Sequence, residues 1–272
     1  AKPLSDPNGE TGAAGGRYPV KMNEPKPMTG SPEDIVYLIL GSLQFSEAHL
    51  RLYGHPDLLR IAESVNGEDF TPFNESIFIK EPGLGASVAW HQDGITHWDH
   101  PDWEEGIHGF NFMVQLYGST AANGVWVVPG THRLGKLDIR EMVVRNGGIR
   151  LAEAVPLVCD PGDVIINNRQ LVHGSFANTS DKIRVTFNQG FHKRSSVIGV
   201  RGGGLHNAPA IYTKERLKER SRLIGLAIDA RNQKYLHEET YKYRPLAEGR
   251  PEKWRSGMLG ELKDYNLLDF SI

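Results

Sequence analysis

Hydrophobic and polar positions change their period along this chain. Between Ser31 and Val65 apolar residues recur at helical intervals: Ile35, Leu38, Ile39 and Leu43, then Leu58, Leu59, Ile61 and Ala62. The opening Ser31-Pro32-Glu33-Asp34 supplies a cap, a proline at the first helical position and acids in the first turn, and so predicts a helix from Ser31. A second helix is predicted from Pro56 to Val65, ending near Asn66-Gly67. After Gly67 the period shortens to that of strands. Ser76–Lys80 stops at Glu81-Pro82-Gly83, and Ser87–His91, Phe110–Tyr117, Val125–Val128, Val155–Cys159 and Val164–Asn168 follow as further β-rich runs. Ile183 to Gln189 alternates apolar residues with Arg184, Thr186 and Asn188, giving one apolar and one polar face. Asn123-Gly124 predicts a hairpin turn between the 110–117 and 125–128 strands. About seven or eight short strands in this arrangement predict a mainly β protein with flanking helices, built on a double-stranded β-helix of jelly-roll, cupin-like type.

The remaining segments refine that picture. Residues 1–30 hold five Gly and five Pro without a period and read as a flexible arm, either a disordered terminus or an arm over an active site. Residues 137–150 read as a helical or irregular insertion that ends at Gly147-Gly148. Thr213 to Leu236 reads as a helix, charged at its start and apolar at Leu223, Ile224, Leu226, Ala227 and Ile228; packing on the sheet and a homodimer contact are its two readings. Residues 1–272 are expected to form one domain: arm 1–30, helical 31–70, core 71–195 and a C-terminal helical segment 210–245. The chain opens on Ala1, which fits a processed, truncated or partial start.

Composition removes several function classes. A net charge of −2 with dispersed basic residues gives no footprint for nucleic acid and no polybasic membrane patch, so a small-molecule substrate is the expected partner. The single Cys159 excludes a disulfide framework and multi-cysteine metal sites, and is expected to be a small buried hydrophobe. No apolar run approaches the roughly 20 residues of a membrane helix, and the chain is expected to be soluble and cytoplasmic.

Candidate chemistry gathers on three polar groups. His91 and Asp93 lie two apart, so an extended strand turns both side chains to one face. His173, in Leu171-Val172-His173-Gly174-Ser175, can add a second imidazole. Two histidines and one carboxylate with open positions is the ligand set of non-haem Fe(II) oxygenases. Arg184 lies on the polar face of its strand, where a buried guanidinium requires an anion. Either Arg184 faces solvent or pairs with Asp160 or Asp163, or its partner is a ligand carboxylate such as the far end of 2-oxoglutarate. The competing reading is a cupin-like metal-dependent isomerase or small-ligand binding protein without oxidative chemistry; a scaffold using the 213–236 helix is a third.

Residues from about 53 to 192 resemble the phytanoyl-CoA dioxygenase family of Fe(II)/2-oxoglutarate-dependent oxygenases. The resemblance rests on Ile79-Lys80-Glu81-Pro82-Gly83, Trp90-His91-Gln92-Asp93-Gly94, Asn123-Gly124 leading to Val128-Pro129-Gly130-Thr131-His132-Arg133, Pro161-Gly162-Asp163-Val164, Leu171–Ser175, Asn178-Thr179-Ser180 and Arg184. It implies an enzyme that hydroxylates a C–H bond of a small metabolite, with Fe(II) as cofactor and 2-oxoglutarate and O2 as cosubstrates. By position it implies His91, Asp93 and His173 as iron ligands, and Arg184, Ser175 and Thr186 as cosubstrate contacts. Asn111, Met113 and Gln115 share the strand face that lines the cosubstrate in relatives, where an aromatic is frequent at the Met113 position. Thr131 and His132 belong to a motif read as a structural turn, and Asp93 argues for hydroxylation over halogenation. His97, Trp98, His100, Trp103 and His108, interleaved with acids, read as a solvated loop over the site mouth, and Trp126 as core.

Overall fold

Strands β2 (Phe70–Lys80), β4 (Gly109–Gln115) and β9 (Arg184–Lys193) are the longest in the protein and carry its larger sheet. The computed structural model describes residues 36–83, 87–93, 109–202, 210–246 and 252–262. β1 (Leu38–Leu40) and β7 (Val164–Asn168) complete that sheet in the order β1-β2-β9-β4-β7. A second sheet runs β3-β8-β5-β6, formed by β3 (Val88–His91), β5 (Trp126–Val127), β6 (Val155–Pro156) and β8 (His173–Ser175). Its pairs are antiparallel. β10 (Arg201–Gly202) and β11 (Ala210–Ile211) form a separate two-stranded pair. Apart from β1-β2 and β5-β6, neighbouring strands in the two main sheets are not consecutive in sequence, the crossover pattern of a jelly roll.

The chain divides into two compact units. The first comprises residues 1–39, 77–95 and 112–188; the second comprises 40–76, 96–111 and 189–272. The first unit contains the whole four-stranded sheet. One face of β3 and its neighbours packs into a core of Trp90, Val128, Ile139, Leu151, Val172 and Phe176, with α3 (Ile139–Asn146) contributing Met142 and Val143. Trp90 is fully buried, meets Phe176 edge-on at 6.0 Å and donates its indole N–H to Ile149 O at 2.7 Å. Its sequence neighbour His91 is therefore turned to the opposite face. α3 starts at Asp138, which accepts from Glu141 N at 2.9 Å, and stops at Gly147 in the left-handed region (φ 73°).

The second unit is a helical and aromatic core. α1 (Glu47–Tyr53), α2 (Pro56–Asn66) and α4 (Lys214–Asn232) bury Leu50, Tyr53, Leu59, Ala62, Leu223, Ile224 and Ala227. Gly54 ends α1 so close to α4 that a Cβ there would meet Ala227 O at 2.3 Å. The apolar residues of α4 are thus covered within their own unit, while Lys214, Glu215, Lys218 and Glu219 are exposed. Buried Arg220 donates to the Pro72 and Phe73 carbonyls and lies over the Phe73 and Tyr212 rings.

Several sequence expectations are corrected. The apolar residues Leu38 and Ile39 lie in a strand and not in a helix: Ile79 N bonds Tyr37 O at 2.8 Å, and Gly41 (φ 61°) breaks the chain before a 3₁₀ turn at Ser42–Phe45. The start at Ser31 lies outside the described residues, as do the 1–30 arm, the 96–108 loop and the last ten residues. Asn123-Gly124 does not join a hairpin. β4 and β5 belong to different sheets, and the turn closes on itself through Gly124 N to Thr120 O at 2.7 Å. Cys159 is half-buried, in a bridge to Ser119. Trp126 packs partly buried against the first unit's core, as expected.

Candidate metal centre

The β3–β8 ladder sets His91 opposite His173. On β8, His173 and Ser175 share a face, and Val172 and Phe176 anchor the chain on either side by burial in the core behind. Asp93 follows β3 and is fixed by its backbone N–H, which bonds Arg169 O at 2.8 Å. The result is one buried cluster: His91 Nε2 lies 3.4 Å from Asp93 Oδ1, His173 Nε2 lies 3.8 Å from Asp93 Oδ2, and the two imidazole centroids are 4.1 Å apart. The ligating atoms of the three residues all fall within 4.8 Å of one another.

Each histidine is oriented from behind by the carbonyl two residues before it. His91 Nδ1 bonds Ala89 O at 2.7 Å, and His173 Nδ1 bonds Leu171 O at 2.8 Å. A carbonyl only accepts, so Nδ1 carries a proton in both residues, and Nε2 is the atom turned to Asp93. Burial, together with the neighbouring His91, lowers the His173 pKa to about 4 against the opposing pull of Asp93, leaving its imidazole neutral at neutral pH. Burial pushes the Asp93 carboxyl up, but Arg169, His173 and His91 together hold it well below the usual carboxylate range. Two imidazoles with Nε2 turned inward and an ionised carboxylate converging on one point fit a divalent transition metal.

The other expected residues are buried as well. Arg184 and Thr186 share a face of β9, and both are buried. Burial alone draws the Arg184 guanidinium down to about 10, and it donates from Nη1 to Asn123 O at 3.1 Å. Asp163, one of the acids weighed as its partner, instead accepts from Asp160 N at 2.9 Å. Thr186 Oγ1 donates to Gln115 Oε1 at 3.0 Å, and Gln115 Nε2 donates to Met113 O at 3.2 Å. Ser175 and Met113 are buried in the first unit; Asn111 is buried in the second. Thr131 is a turn residue as expected, donating from its hydroxyl to Val128 O at 2.7 Å and accepting from Val172 N at 2.9 Å.

Two residues were not singled out for this site by sequence. Arg169, fully buried four positions before His173, is the strongest of the cationic influences that lower the Asp93 carboxyl. Gln92, between His91 at the end of β3 and Asp93 just after it, uses its amide on three backbone groups. The only sequence signal for Arg169 is a cation in the short turn between β7 and the distal histidine.

The profile of the family described as phytanoyl-CoA dioxygenase (PhyH) matches residues 42–186, more than half of the chain. The dioxygenase lolE1 of Epichloe uncinata is 27% identical over 136 residues, covering 49% of this chain and 50% of that protein. Phytanoyl-CoA dioxygenase 1 of Oryza sativa subsp. japonica is 31% identical over 115 residues, 39% of each. The match therefore spans half or less of these curated relatives. EctD from S. alaskensis, solved with bound Fe, superposes with a TM-score of 0.51 at 23% identity, covering 62% of this chain and 61% of that one; this likeness is one of fold.

Proposed function

The chain belongs to the phytanoyl-CoA dioxygenase (PhyH) family, and from that premise we propose that it is a non-haem Fe(II)/2-oxoglutarate-dependent dioxygenase. It would oxidise, by hydroxylation in the first place, a C–H bond of a small-molecule metabolite, releasing succinate and CO2. The observation that carries this reading is the pair of Nε2 atoms and the Asp93 carboxylate meeting within 4.8 Å, each imidazole oriented by a backbone carbonyl. In this assignment His91, Asp93 and His173 hold iron. The metal, when bound, supplies the O2 chemistry coupled to oxidative decarboxylation of the cosubstrate.

The residues of the chain contribute binding, orientation and charge. Arg184, buried and with its Nε unmatched by any described protein acceptor, is assigned to the far carboxylate of 2-oxoglutarate. Thr186, Ser175 and Met113 are assigned to the same cosubstrate; the Thr186–Gln115 bond orients that hydroxyl. Neutral His173 and ionised Asp93 leave the site ready for a cation without prior proton loss. The non-oxidative cupin reading lacks a use for Arg184. We read the chain as one functional oxygenase domain in the cytoplasm, supported by its single cysteine; a homodimer through α4 would use its charged exposed residues.

The test is anaerobic titration of the apoprotein with Fe(II) and 2-oxoglutarate. A weak visible charge-transfer band that needs both components is expected. Binding of iron with no band on adding 2-oxoglutarate refutes the oxygenase assignment and favours the cupin-like alternative.

A further inference from the structure

Gln92 separates His91, the last residue of β3, from Asp93, and its side chain takes no part in their cluster. Its carboxamide is nevertheless fully engaged. Nε2 donates to Gln170 O at 2.6 Å and to Gly135 O at 3.0 Å, while Oε1 accepts from Leu137 N at 3.0 Å. All three partners are backbone groups, so what Gln92 fixes is chain position.

Those partners lie on the segments that carry or brace the distal ligand. Gln170 is in the turn that leads into β8 and His173, next to Arg169, whose carbonyl takes the Asp93 N–H. Gly135 and Leu137 belong to the turn that begins at Thr131, and the Thr131 hydroxyl accepts from Val172 N, the residue before His173. One turn therefore grips the chain beside each side of the cluster. The β3–β8 ladder that otherwise aligns them is short and irregular, with a register shift between Val88 and His91. Burial of Trp90 and Val172 decides which face of each strand is turned in, but so short a ladder supplies few backbone bonds to hold the strand ends at a fixed distance. Only a group with donors and an acceptor in one plane, at the length of glutamine, satisfies two carbonyls and one N–H here.

We propose that Gln92 is a positioning residue of the metal site, a clamp that holds the His91–Asp93 strand end at its working distance from His173. The inference rests on the metal-site reading above. Its prediction is that loss of the amide weakens metal binding more than it weakens the fold, since outer-shell partners of ligands typically contribute about 10–100-fold in metal affinity.

The experiment titrates Co(II), alone, into the apoprotein of wild type and of Gln92→Ala, Gln92→Met and Gln92→Glu, following the visible ligand-field bands, with the melting temperature of each apoprotein measured in parallel. Met keeps the volume without the hydrogen bonds. Glu keeps the acceptor for Leu137 N but sets an oxygen against the Gly135 and Gln170 carbonyls. All three are expected to bind Co(II) at least about tenfold more weakly, with altered bands, while remaining folded. Met or Glu variants that match wild type in affinity and spectrum overturn the clamp, since a space-filling role tolerates both. Wild type that binds no Co(II) overturns the metal-site reading itself, and the clamp with it; a wild type that binds, with His91→Ala that does not, isolates the result to Gln92.

Discussion

Replacing Arg184 by methionine should weaken cosubstrate binding and strengthen the apoprotein, two effects of opposite sign from one change. The guanidinium is buried and its pKa is drawn from 12.5 to about 10 by burial alone, which corresponds to about 3 kcal/mol of cost in keeping the cation inside the fold. That cost is present in full below pH 10 and fades only as pH rises from there towards 12.5, because the folded state loses the proton first. Arg184→Met removes it and gives up the charged bond to Asn123 O, worth about 2 kcal/mol, so a net gain of about 1 kcal/mol is expected. For a protein of this size that is a rise of roughly 2–4 °C in melting temperature. If Arg184 holds the far carboxylate of 2-oxoglutarate as proposed, the same change removes that partner, a loss of about 3 kcal/mol or more, or roughly 100-fold in 2-oxoglutarate affinity. Calorimetry of the apoprotein and 2-oxoglutarate titration of the Fe(II) protein under argon read the two numbers. A variant that melts several degrees lower and binds 2-oxoglutarate normally would show that Arg184 is a structural cation, and the reasoning from its burial would be wrong.

Further outcomes follow from other parts of the molecule. His91→Ala and Asp93→Ala should each abolish Fe(II) binding and succinate formation; succinate release at the wild-type rate by either would remove both from the site. Glu75, buried and raised to about 8 by that burial against the opposing Leu43 N–H and Arg220, stays protonated in the fold while an unfolded chain ionises it near 4.5. Stability should therefore fall as pH rises from about 4.5 to 8, by a few kcal/mol at most, and Glu75→Gln should flatten that slope; parallel melting curves of the two proteins at pH 5, 6.5 and 8 would contradict it. Trp90→Phe forfeits the bond to Ile149 O and some volume, about 1–2 kcal/mol, whereas Trp90→Ala should cost about 3–5 kcal/mol in urea unfolding. Equal costs for the two would mean that the ring is not packed as described.

What could be read from sequence was whatever is local. β-rich runs such as Val164–Asn168 and the alternation of Arg184, Thr186 and Asn188 announce strands because neighbours alone decide them. The cap at Thr213 and the Gly147 stop announce helix ends for the same reason. β1 was misread as helix because the apolar spacing at Leu38 and Ile39 suits either period, and the choice was made by a distant strand through Ile79 N and Tyr37 O. The hairpin at Asn123-Gly124 failed differently. The turn is real, but β5 finds its partners at Val155–Pro156 and His173–Gly174, and no turn residue records which sheet the chain enters next.

The candidate site divides along the same line. His91 and Asp93 were legible because a spacing of two fixes their common face, and Arg184 because a cation on an apolar strand demands an explanation. β8 was not legible as a strand: His173-Gly174-Ser175 is three residues long, with little intrinsic preference for β structure. Its register comes from outside, since a slip of one residue would turn Val172 toward the ligands and His173 into the core of Trp90 and Phe176. Burying an imidazole there without a partner would be costly, which selects the observed register by exclusion. The braces select it directly: Thr131 holds Val172 N, and Gln92 holds Gln170 O. A three-residue strand can carry a metal ligand only if side chains elsewhere set its position, and that is why the ligands were visible in the sequence while the residues that aim them were not.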